Sequence, residues 1–149
     1  MNNTEKSESA SGPRSMGSPS DPPRQTAKLQ RIFLVCGDAT SNAIRALFDG
    51  EGEFVTCGEG TSGIESIHLL AGHPPGLVII ELENFSIHDL EIAGALKLEM
   101  PEVPLFLVTE QCSLQSEKQA ISHGIDAVFE TKYELSSLVL NARAVLSYA

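Results

Sequence analysis

The sequence contains no tryptophan, few aromatic residues and no long hydrophobic stretch. Aromatic residues make up 5% of its 149 residues, while hydrophobic residues of all kinds make up 42%. No apolar run approaches the roughly 20 residues that a membrane-spanning helix needs, so a transmembrane role is excluded. A chain of this length accommodates one ordinary domain, and its composition favours a single α/β core.

Basic charge is also scarce. Ten Lys and Arg residues stand against twenty Asp and Glu residues, which gives a net charge of −10. This is the wrong sign for binding a phosphate backbone, so nucleic acid is not expected as a direct partner. The cysteines Cys36, Cys57 and Cys112 form no CxxC pair, which disfavours both a disulfide framework and a zinc site. Since no apolar signal segment is found near the N-terminus, we expect a reduced, cytoplasmic compartment.

Residues 1–30 differ in composition from the rest of the chain. They contain six Ser, four Pro and two Gly with few apolar side chains, too few to offset the entropy of ordering. We therefore predict a disordered Ser/Pro-rich tail over 1–30 and one domain over 31–149. The tail has four basic and three acidic residues, a charge of +1, which leaves −11 on the predicted domain.

From residue 31 onward, short apolar runs alternate with segments of helical periodicity, as in βα units around a parallel sheet. The runs at 77–80 and 105–108 are continuously apolar, which is typical of central strands covered by helices on both faces. The predicted strands are Ile32–Cys36, Glu53–Cys57, Leu77–Leu82, Leu105–Val108 and Ala127–Phe129. The fold class is therefore α/β, an open (βα)5 sandwich.

Five helices are predicted to connect and follow these strands. The second of them begins with a capping box, Ser62-x-x-Glu65. The last has the clearest i, i+3, i+4 apolar spacing, which predicts that one face docks on the sheet. The fourth is weakly apolar, through Leu114 and Ile121. The first predicted helix ends at Gly50, and the second runs from Ser62 to Gly72. The third covers 87–99, the fourth covers 114–122, and the fifth runs from Leu135 to Leu146.

Polar and small residues follow four of the five predicted strands. In an open parallel sheet, functional groups collect just past the carboxyl ends of the strands, so we expect these residues to outline one pocket. They are Cys36, Gly37 and Asp38 after the first strand, Glu81 and Glu83 at the third, Thr109 after the fourth, and Thr131 and Lys132 after the fifth.

Four segments together resemble a known family. They are Arg-Ile-Phe-Leu-Val-Cys-Gly-Asp, Pro-Gly-Leu-Val-Ile-Ile-Glu-Leu, Val-Pro-Leu-Phe-Leu-Val-Thr-Glu and His-Gly-Ile-Asp-Ala-Val-Phe-Glu-Thr-Lys. In this order they resemble the receiver domain of two-component response regulators, the CheY-like group, over nearly all of 31–149. The resemblance implies a flavodoxin-like sandwich whose five-stranded parallel sheet has the order 2-1-3-4-5. It also implies a Mg²⁺-dependent phosphoryl site at the edge of that sheet.

Several positions depart from what the resemblance implies. The two acidic Mg²⁺ ligands of receivers correspond to Cys36 and Gly37, neither of which offers the oxygen ligand that Mg²⁺ requires. Asp38, one residue further on, is the only candidate metal ligand. The phospho-accepting aspartate corresponds to Glu81, whose longer stem, by about 1.5 Å, misplaces a nucleophile for in-line transfer.

Other receiver positions are kept, shifted or lost. Thr109 matches the hydroxyl that binds the phosphoryl group. The lysine after the fifth strand corresponds to Thr131, with Lys132 one place later. The aromatic switch position corresponds to Val128, whose side chain cannot rotate between buried and exposed states.

Each of these residues also has a purely structural interpretation. Glu81 is then a solvated side chain at a strand end, and Thr109 satisfies a loop backbone group. Cys36 is then a small buried apolar residue, because no His or Lys lies beside it in sequence to lower its pKa. The four histidines have no metal-ligand spacing and are expected on the surface.

The leading hypothesis is a degenerate receiver, or pseudo-receiver, of a bacterial signalling pathway. It is not an enzyme, uses no cofactor, and binds a signalling protein such as a histidine kinase or an effector. The resemblance implies that the binding surface is the helix over 114–122, the fifth strand and the last helix, and a homodimer through that surface is an alternative. We expect no output domain after Ala149.

Two other functions stay open. One is a phosphorylatable single-domain response regulator of a phosphorelay, with Mg²⁺ bound at Asp38. The other is a small-ligand-binding flavodoxin-like protein, against which the absence of a glycine-rich phosphate loop after the first strand counts.

Overall fold

Residues 29–59, 73–83 and 86–146 are described by the computed structural model of the protein. The strands are β1 Gln30–Val35, β2 Phe54–Glu59, β3 Leu77–Glu81, β4 Leu105–Thr109 and β5 Ala127–Glu130. The α-helices are α1 Asp38–Asp49, α2 Ile87–Glu99, α3 Leu114–Ser122 and α4 Leu138–Leu146, and a 3₁₀ turn at Leu135–Ser137 precedes α4. The second predicted helix, from Ser62 to Gly72, lies outside the described residues.

All five strands lie in one parallel sheet of order β2-β1-β3-β4-β5. This confirms the predicted fold class and the strand order 2-1-3-4-5. The strand limits differ from the predicted ones by one or two residues. β1 begins at Gln30, inside the range assigned to the tail, and pairs there with Phe54. Residues 1–28 of the predicted tail are outside the described part of the chain.

Helices cover both faces of the sheet. Along β3, Leu77 and Ile79 pack in the core beneath α1 and α4, while Val78 and Ile80 pack in the core beneath α2 and α3. Since successive side chains of a strand point to opposite faces, a strand buried on both faces has no polar positions. The two continuously apolar strands therefore lie at the centre of the sheet, as predicted.

The helix ends follow local sequence signals. Ser86 and Ser113 precede α2 and α3, and each side-chain oxygen accepts a hydrogen bond from a backbone N–H of the first turn. Gly124, after α3, has a φ of +104°, and a Cβ atom there would lie 2.9 Å from the Lys97 side chain. Glycine is required at this turn for both reasons. In the described part of the chain, no helix combines the length and apolar character needed to cross a membrane.

The weak apolar face predicted for 114–122 is not the buried face of α3. Leu114 and Ile121 are 67% and 49% exposed, and Ala120 is the buried residue of this helix. A small residue at this position lets the helix lie close to the sheet, which leaves the two larger side chains at its outer surface.

Candidate functional site

A cavity of about 470 Å³ lies at the carboxyl end of the sheet, where the sequence predicts a pocket. Its lining residues are Thr40, Glu81, Leu82, Glu83, Glu110 and Thr131. Three of the predicted site residues, Glu81, Glu83 and Thr131, are therefore brought together. Three of the six lining residues are glutamates and none is Lys or Arg, so the cavity is negatively charged.

Glu81 ends β3, and its carboxylate contacts the beginning of α1. One oxygen accepts a hydrogen bond of 2.8 Å from the Gly37 N–H, and the other accepts one of 2.7 Å from the Thr40 hydroxyl. Gly37 is the N-cap residue of α1 and has no side chain to satisfy the free N–H groups of the first turn. Glu81 supplies a negatively charged acceptor there, where the helix dipole favours one. The carboxylate thus caps a helix from a neighbouring strand.

Cys36 lies beneath this contact, between β1 and α1. Its side chain is 6% exposed, and its Sγ lies 3.6 Å from the carbonyl oxygen of Ile79. Burial, and then the negative charge of Glu81, raise the pKa of the thiol to about 12. This agrees with the interpretation of Cys36 as a small buried apolar residue.

Asp38 is the first residue of α1 and is exposed. It is not a lining residue of the cavity. The space directly beside Gly37 is taken by Glu81, since a Cβ atom on Gly37 would lie 3.4 Å from its Oε1. The segment between β1 and α1 therefore turns its backbone, and not a carboxylate, towards Glu81.

Thr109 and Lys132 are not brought to the cavity. Thr109 is only 1% exposed, and its hydroxyl donates a long hydrogen bond of 3.4 Å to the carbonyl of Gln111. Lys132 is exposed, and its ammonium lies 5.5 Å from the centre of the Tyr133 ring. The turn after β5 directs Thr131 to the cavity instead, because the Thr131 N–H donates to the Thr109 carbonyl at 2.8 Å. Val128 is partly buried and packs on the core beneath α2 and α3.

Three lining residues, Thr40, Leu82 and Glu110, were not among the predicted site residues; Leu82 is predicted only as the last residue of the third strand. Glu110 directly follows β4, so the rule that located Thr109 would have found it one residue later. Thr40 lies within α1, three residues after the N-cap, and only the position of the Glu81 carboxylate brings it to the cavity. No sequence spacing indicates that contact, because the two residues belong to different βα units.

Further carboxylates lie nearby, around Cys112, which lies just before the start of α3. The Cys112 N–H donates to Glu130 at 2.8 Å, and the Glu130 N–H donates to Glu134 at 2.9 Å. Partial burial, followed by the charges of Glu117, Glu130 and Glu134, raises the pKa of the Cys112 thiol. The carboxyl edge of the sheet is thus acidic beyond the cavity itself.

The donor set of the site was compared with the needs of Mg²⁺, the ion implied by the receiver resemblance. Mg²⁺ requires a near-octahedral set of oxygen ligands. Both Glu81 oxygens already accept hydrogen bonds, and the Cys36 thiol is buried against a carbonyl. Among the described residues, no three His, Cys, Asp or Glu side chains are arranged to hold a metal ion. The residues present do not fit Mg²⁺.

Comparison with solved structures identifies the fold. A CheY-like receiver domain protein of Methanospirillum hungatei superposes with a TM-score of 0.69 at 17% identity, covering 81% of this chain and 96% of its own. A response regulator described as atypical and orphan, with a phosphorylation-independent regulatory mechanism, superposes with a TM-score of 0.67 at 16% identity, covering 80% and 98%. The chain has the receiver fold of CheY-like response regulators.

Sequence comparison adds one relative. A proposed transcriptional regulator of Pseudomonas aeruginosa is 29% identical over 105 residues, which are 70% of this chain and 50% of the relative. The chain thus spans about half the length of that curated relative. No profile of a protein family matches the chain.

Proposed function

We propose that this chain is an atypical receiver module of bacterial signal transduction, which acts by binding a partner protein and does not accept phosphate at Glu81. It is not an enzyme and works without a cofactor in the cytoplasm. The contact that supports this proposal most strongly is the double hydrogen bond between the Glu81 carboxylate and the start of α1.

This contact opposes phosphoryl transfer because it engages the group that would act as the nucleophile. An attacking carboxylate oxygen needs a free lone pair aligned with the phosphorus. Here the Gly37 N–H and the Thr40 hydroxyl each hold one oxygen. Each oxygen keeps a second lone pair, but the two hydrogen bonds fix the orientation of the carboxylate against α1. Turning it towards a phosphoryl donor would remove the cap from the start of α1.

The negative charge of the cavity is a second factor that opposes phosphate binding. A phosphoryl group carries negative charge, and Glu81, Glu83 and Glu110 line the space that it would enter. Receivers use a metal ion and a lysine to offset such repulsion, according to the resemblance. Lys132 contacts Tyr133 instead, and the donor set does not suit Mg²⁺. None of the lining residues carries a positive charge that would stabilise the anion.

With phosphate excluded, the module acts by contact with another protein. A histidine kinase or an effector is the partner class that the receiver fold favours, and the resemblance assigns the surface to α3, β5 and α4. A phosphorylation-independent mechanism is described for the atypical response regulator of the same fold. The acidic charge of the chain disfavours direct contact with nucleic acid.

The proposal is tested by incubating the full chain with Mg²⁺ and acetyl phosphate and then measuring its intact mass. The unmodified mass is the expected result, and an adduct on Glu81 would refute the proposal. The positive control is the triple variant Cys36→Asp, Gly37→Asp and Glu81→Asp, which supplies two oxygen ligands and a shorter nucleophile. Shortening Glu81 also makes room for the side chain at position 37, where a Cβ atom would otherwise lie 3.4 Å from Oε1.

We expect this variant to bind Mg²⁺ and take up phosphate slowly, since Thr131 stands where receivers have lysine. If the folded variant stays unmodified, adding Thr131→Lys separates two causes. Rescue assigns the failure to the missing lysine. Continued failure means that Cys36 and Glu81 do not correspond to the receiver positions assigned to them.

A further inference from the structure

An apolar groove lies far from the glutamate cavity, between α2 and the C-terminal end of α3. Its volume is about 750 Å³. The α2 side is formed by Glu91, Gly94, Ala95 and Leu98, and the opposite side by Pro101 and the turn at 122–124. The groove meets the surface that the receiver resemblance assigns to partner binding only at Ser122, the last residue of α3; its other side lies on α2.

The α2 helix exposes apolar side chains on the face that borders this groove. Leu90, Ala93 and Leu96 already bury the inner face in the core. On the outer face, Leu98 is 85% exposed and Ile87 is 58% exposed. A helix at the surface of a soluble protein normally has a polar outer face, so the outer face of α2 has the character of a contact surface.

The floor of the groove consists of small residues. Gly94 and Ala95 lie one helical turn before Leu98 and therefore on the same side of α2. The end of α3 closes the floor, since a Cβ atom on Gly94 would lie 3.4 Å from the carbonyl oxygen of His123. Small residues beside a protruding leucine let a second helix approach closely and pack a large side chain against the floor.

The unpaired charge at the rim of the groove is negative, although Glu91 is the only glutamate that lines it. The one cation that lines the groove, Lys97, is neutralised by Asp126 at 2.8 Å and also donates to the Val103 carbonyl at 3.0 Å. Glu91 lines the groove and Glu99 follows Leu98 on the same helix, and both are exposed. Within the described part of the chain, neither glutamate forms an ion pair.

We propose that this groove binds a positively charged amphipathic helix of a partner protein, with its apolar side chains on Gly94, Ala95 and Leu98. The Lys and Arg residues of such a helix would lie beside Glu91 and Glu99, where charge complementarity favours them. The inference rests on the proposed function in one respect, that the chain acts by binding proteins. It adds a second surface and the chemical class of the segment that binds there.

A second copy of the chain is a poorer occupant. It would bring the same glutamate rim against this one, and the whole chain already carries a net charge of −10. Like charges placed across an interface cost binding free energy. A cationic helix gains from the same charges.

The test uses the full chain and a fluorescein-labelled synthetic peptide of Leu and Lys, about 18 residues or five helical turns long. Binding is followed by fluorescence anisotropy, and a Leu/Glu peptide of the same pattern is the control. We expect the Leu/Lys peptide to bind and Leu98→Gln to weaken it at least ~5-fold, as loss of a central apolar contact does. Glu91→Gln should weaken it less and reduce its salt dependence.

Matched variants outside both the groove and the α3, β5 and α4 surface separate the groove from general attraction to an acidic protein. Leu29→Gln, just before β1, removes a leucine that is 53% exposed, and Asp49→Asn, at the end of α1, removes one exposed negative charge. Both should leave the affinity within ~2-fold of the wild type, because surface changes outside the contact have small effects. Circular dichroism of each variant shows whether it is folded.

Three results would overturn the proposal. They are absence of Leu/Lys peptide binding, equal weakening by Leu98→Gln and Leu29→Gln, and a wild-type dimer in sedimentation velocity that Leu98→Gln converts to a monomer. Each of these leaves the intact-mass result on Glu81 unaffected. Conversely, a phosphoryl adduct on Glu81 would refute the proposed function while the mapping of the peptide to the groove still held.

Discussion

Replacing Glu81 by alanine should destabilise the protein, even though this residue corresponds to a functional position in receivers. The substitution removes the acceptor for two hydrogen bonds, from the Gly37 N–H and the Thr40 hydroxyl. It leaves the first turn of α1 without a charged cap. In receivers the equivalent position accepts phosphate. A large loss of stability on replacing Glu81 would therefore favour its role as a helix cap over a role as a phosphate acceptor.

The size of the effect follows from these two contacts. Hydrogen bonds to charged groups are worth about 1.5–3 kcal/mol, and a lost N-cap costs about 0.5–2 kcal/mol. The Gly37 contact is exposed and the Thr40 contact is partly buried, so water replaces part of what is lost. We expect a loss of about 1–2 kcal/mol in the free energy of unfolding, or roughly 3–10 °C in Tm for a domain of this size. Thr40→Val, which removes one of the contacts, should cost about half as much.

Urea unfolding at neutral pH, followed by circular dichroism, measures this difference. Glu83→Ala is the matched control, because it removes a glutamate from the same cavity without removing either hydrogen bond of the helix cap. It also reports any gain from relieving repulsion among the carboxylates, and should change the unfolding free energy by less than about 0.5 kcal/mol. If Glu81→Ala and Glu83→Ala are equally stable, Glu81 does not cap α1.

Two further predictions concern the core. Leu138→Ala should lower the free energy of unfolding in urea by about 2–5 kcal/mol, because Leu138 is 0% exposed. Leu140→Ala, on the same helix but 69% exposed, should change it little. Equal effects would mean that α4 is not docked as described. The pKa of Cys36 is raised to about 12, so above pH ~9 the unfolded chain releases a thiol proton that the folded chain retains. Stability that is present below pH ~9 is therefore lost as the pH rises, by up to ~1.4 kcal/mol per pH unit. The stability difference between the wild type and Cys36→Ala should therefore shift in favour of the variant between pH 8 and about pH 10.5, and a difference that does not vary with pH would contradict a buried, neutral thiol.

The fold was predictable because it depends on patterns that are local in the sequence. The apolar runs of β3 and β4 and the spacing of Leu90, Ala93 and Leu96 on α2 follow directly from burial and helical periodicity. The burial of Cys36 was predictable for the same reason, since it continues the apolar run of β1. The helix predicted from Ser62 to Gly72 lies outside the described residues and stays a prediction.

The site was less predictable because it depends on the directions of side chains in turns. The rule for strand ends placed Glu81, Glu83 and Thr131 together, but it could not show that Thr109 is buried and that Lys132 contacts Tyr133. A one-residue change in the path of a turn redirects a side chain entirely, and the sequence contains no signal for it.

The contact between Glu81 and the start of α1 could not be predicted from sequence patterns either. It joins residues 44 and 41 positions apart, in two βα units. It depends on the parallel pairing of β1 with β3, which brings their carboxyl ends together. Only the combination of a glycine N-cap, a nearby threonine and the longer stem of Glu81 forms this cap.

The most direct test of the central claim is the backbone amide signal of Gly37 in an isotope-labelled full chain, recorded by NMR while Mg²⁺ and beryllium fluoride are added. Beryllium fluoride mimics a phosphoryl group on a carboxylate, and the Gly37 N–H donates its hydrogen bond to Glu81. We predict that the Gly37 and Thr40 signals do not move, because the Glu81 carboxylate stays bound to α1. The triple variant Cys36→Asp, Gly37→Asp and Glu81→Asp is the positive control, in which the Thr40 amide signal should shift. A saturable, Mg²⁺-dependent shift of Gly37 in the wild type would contradict the account.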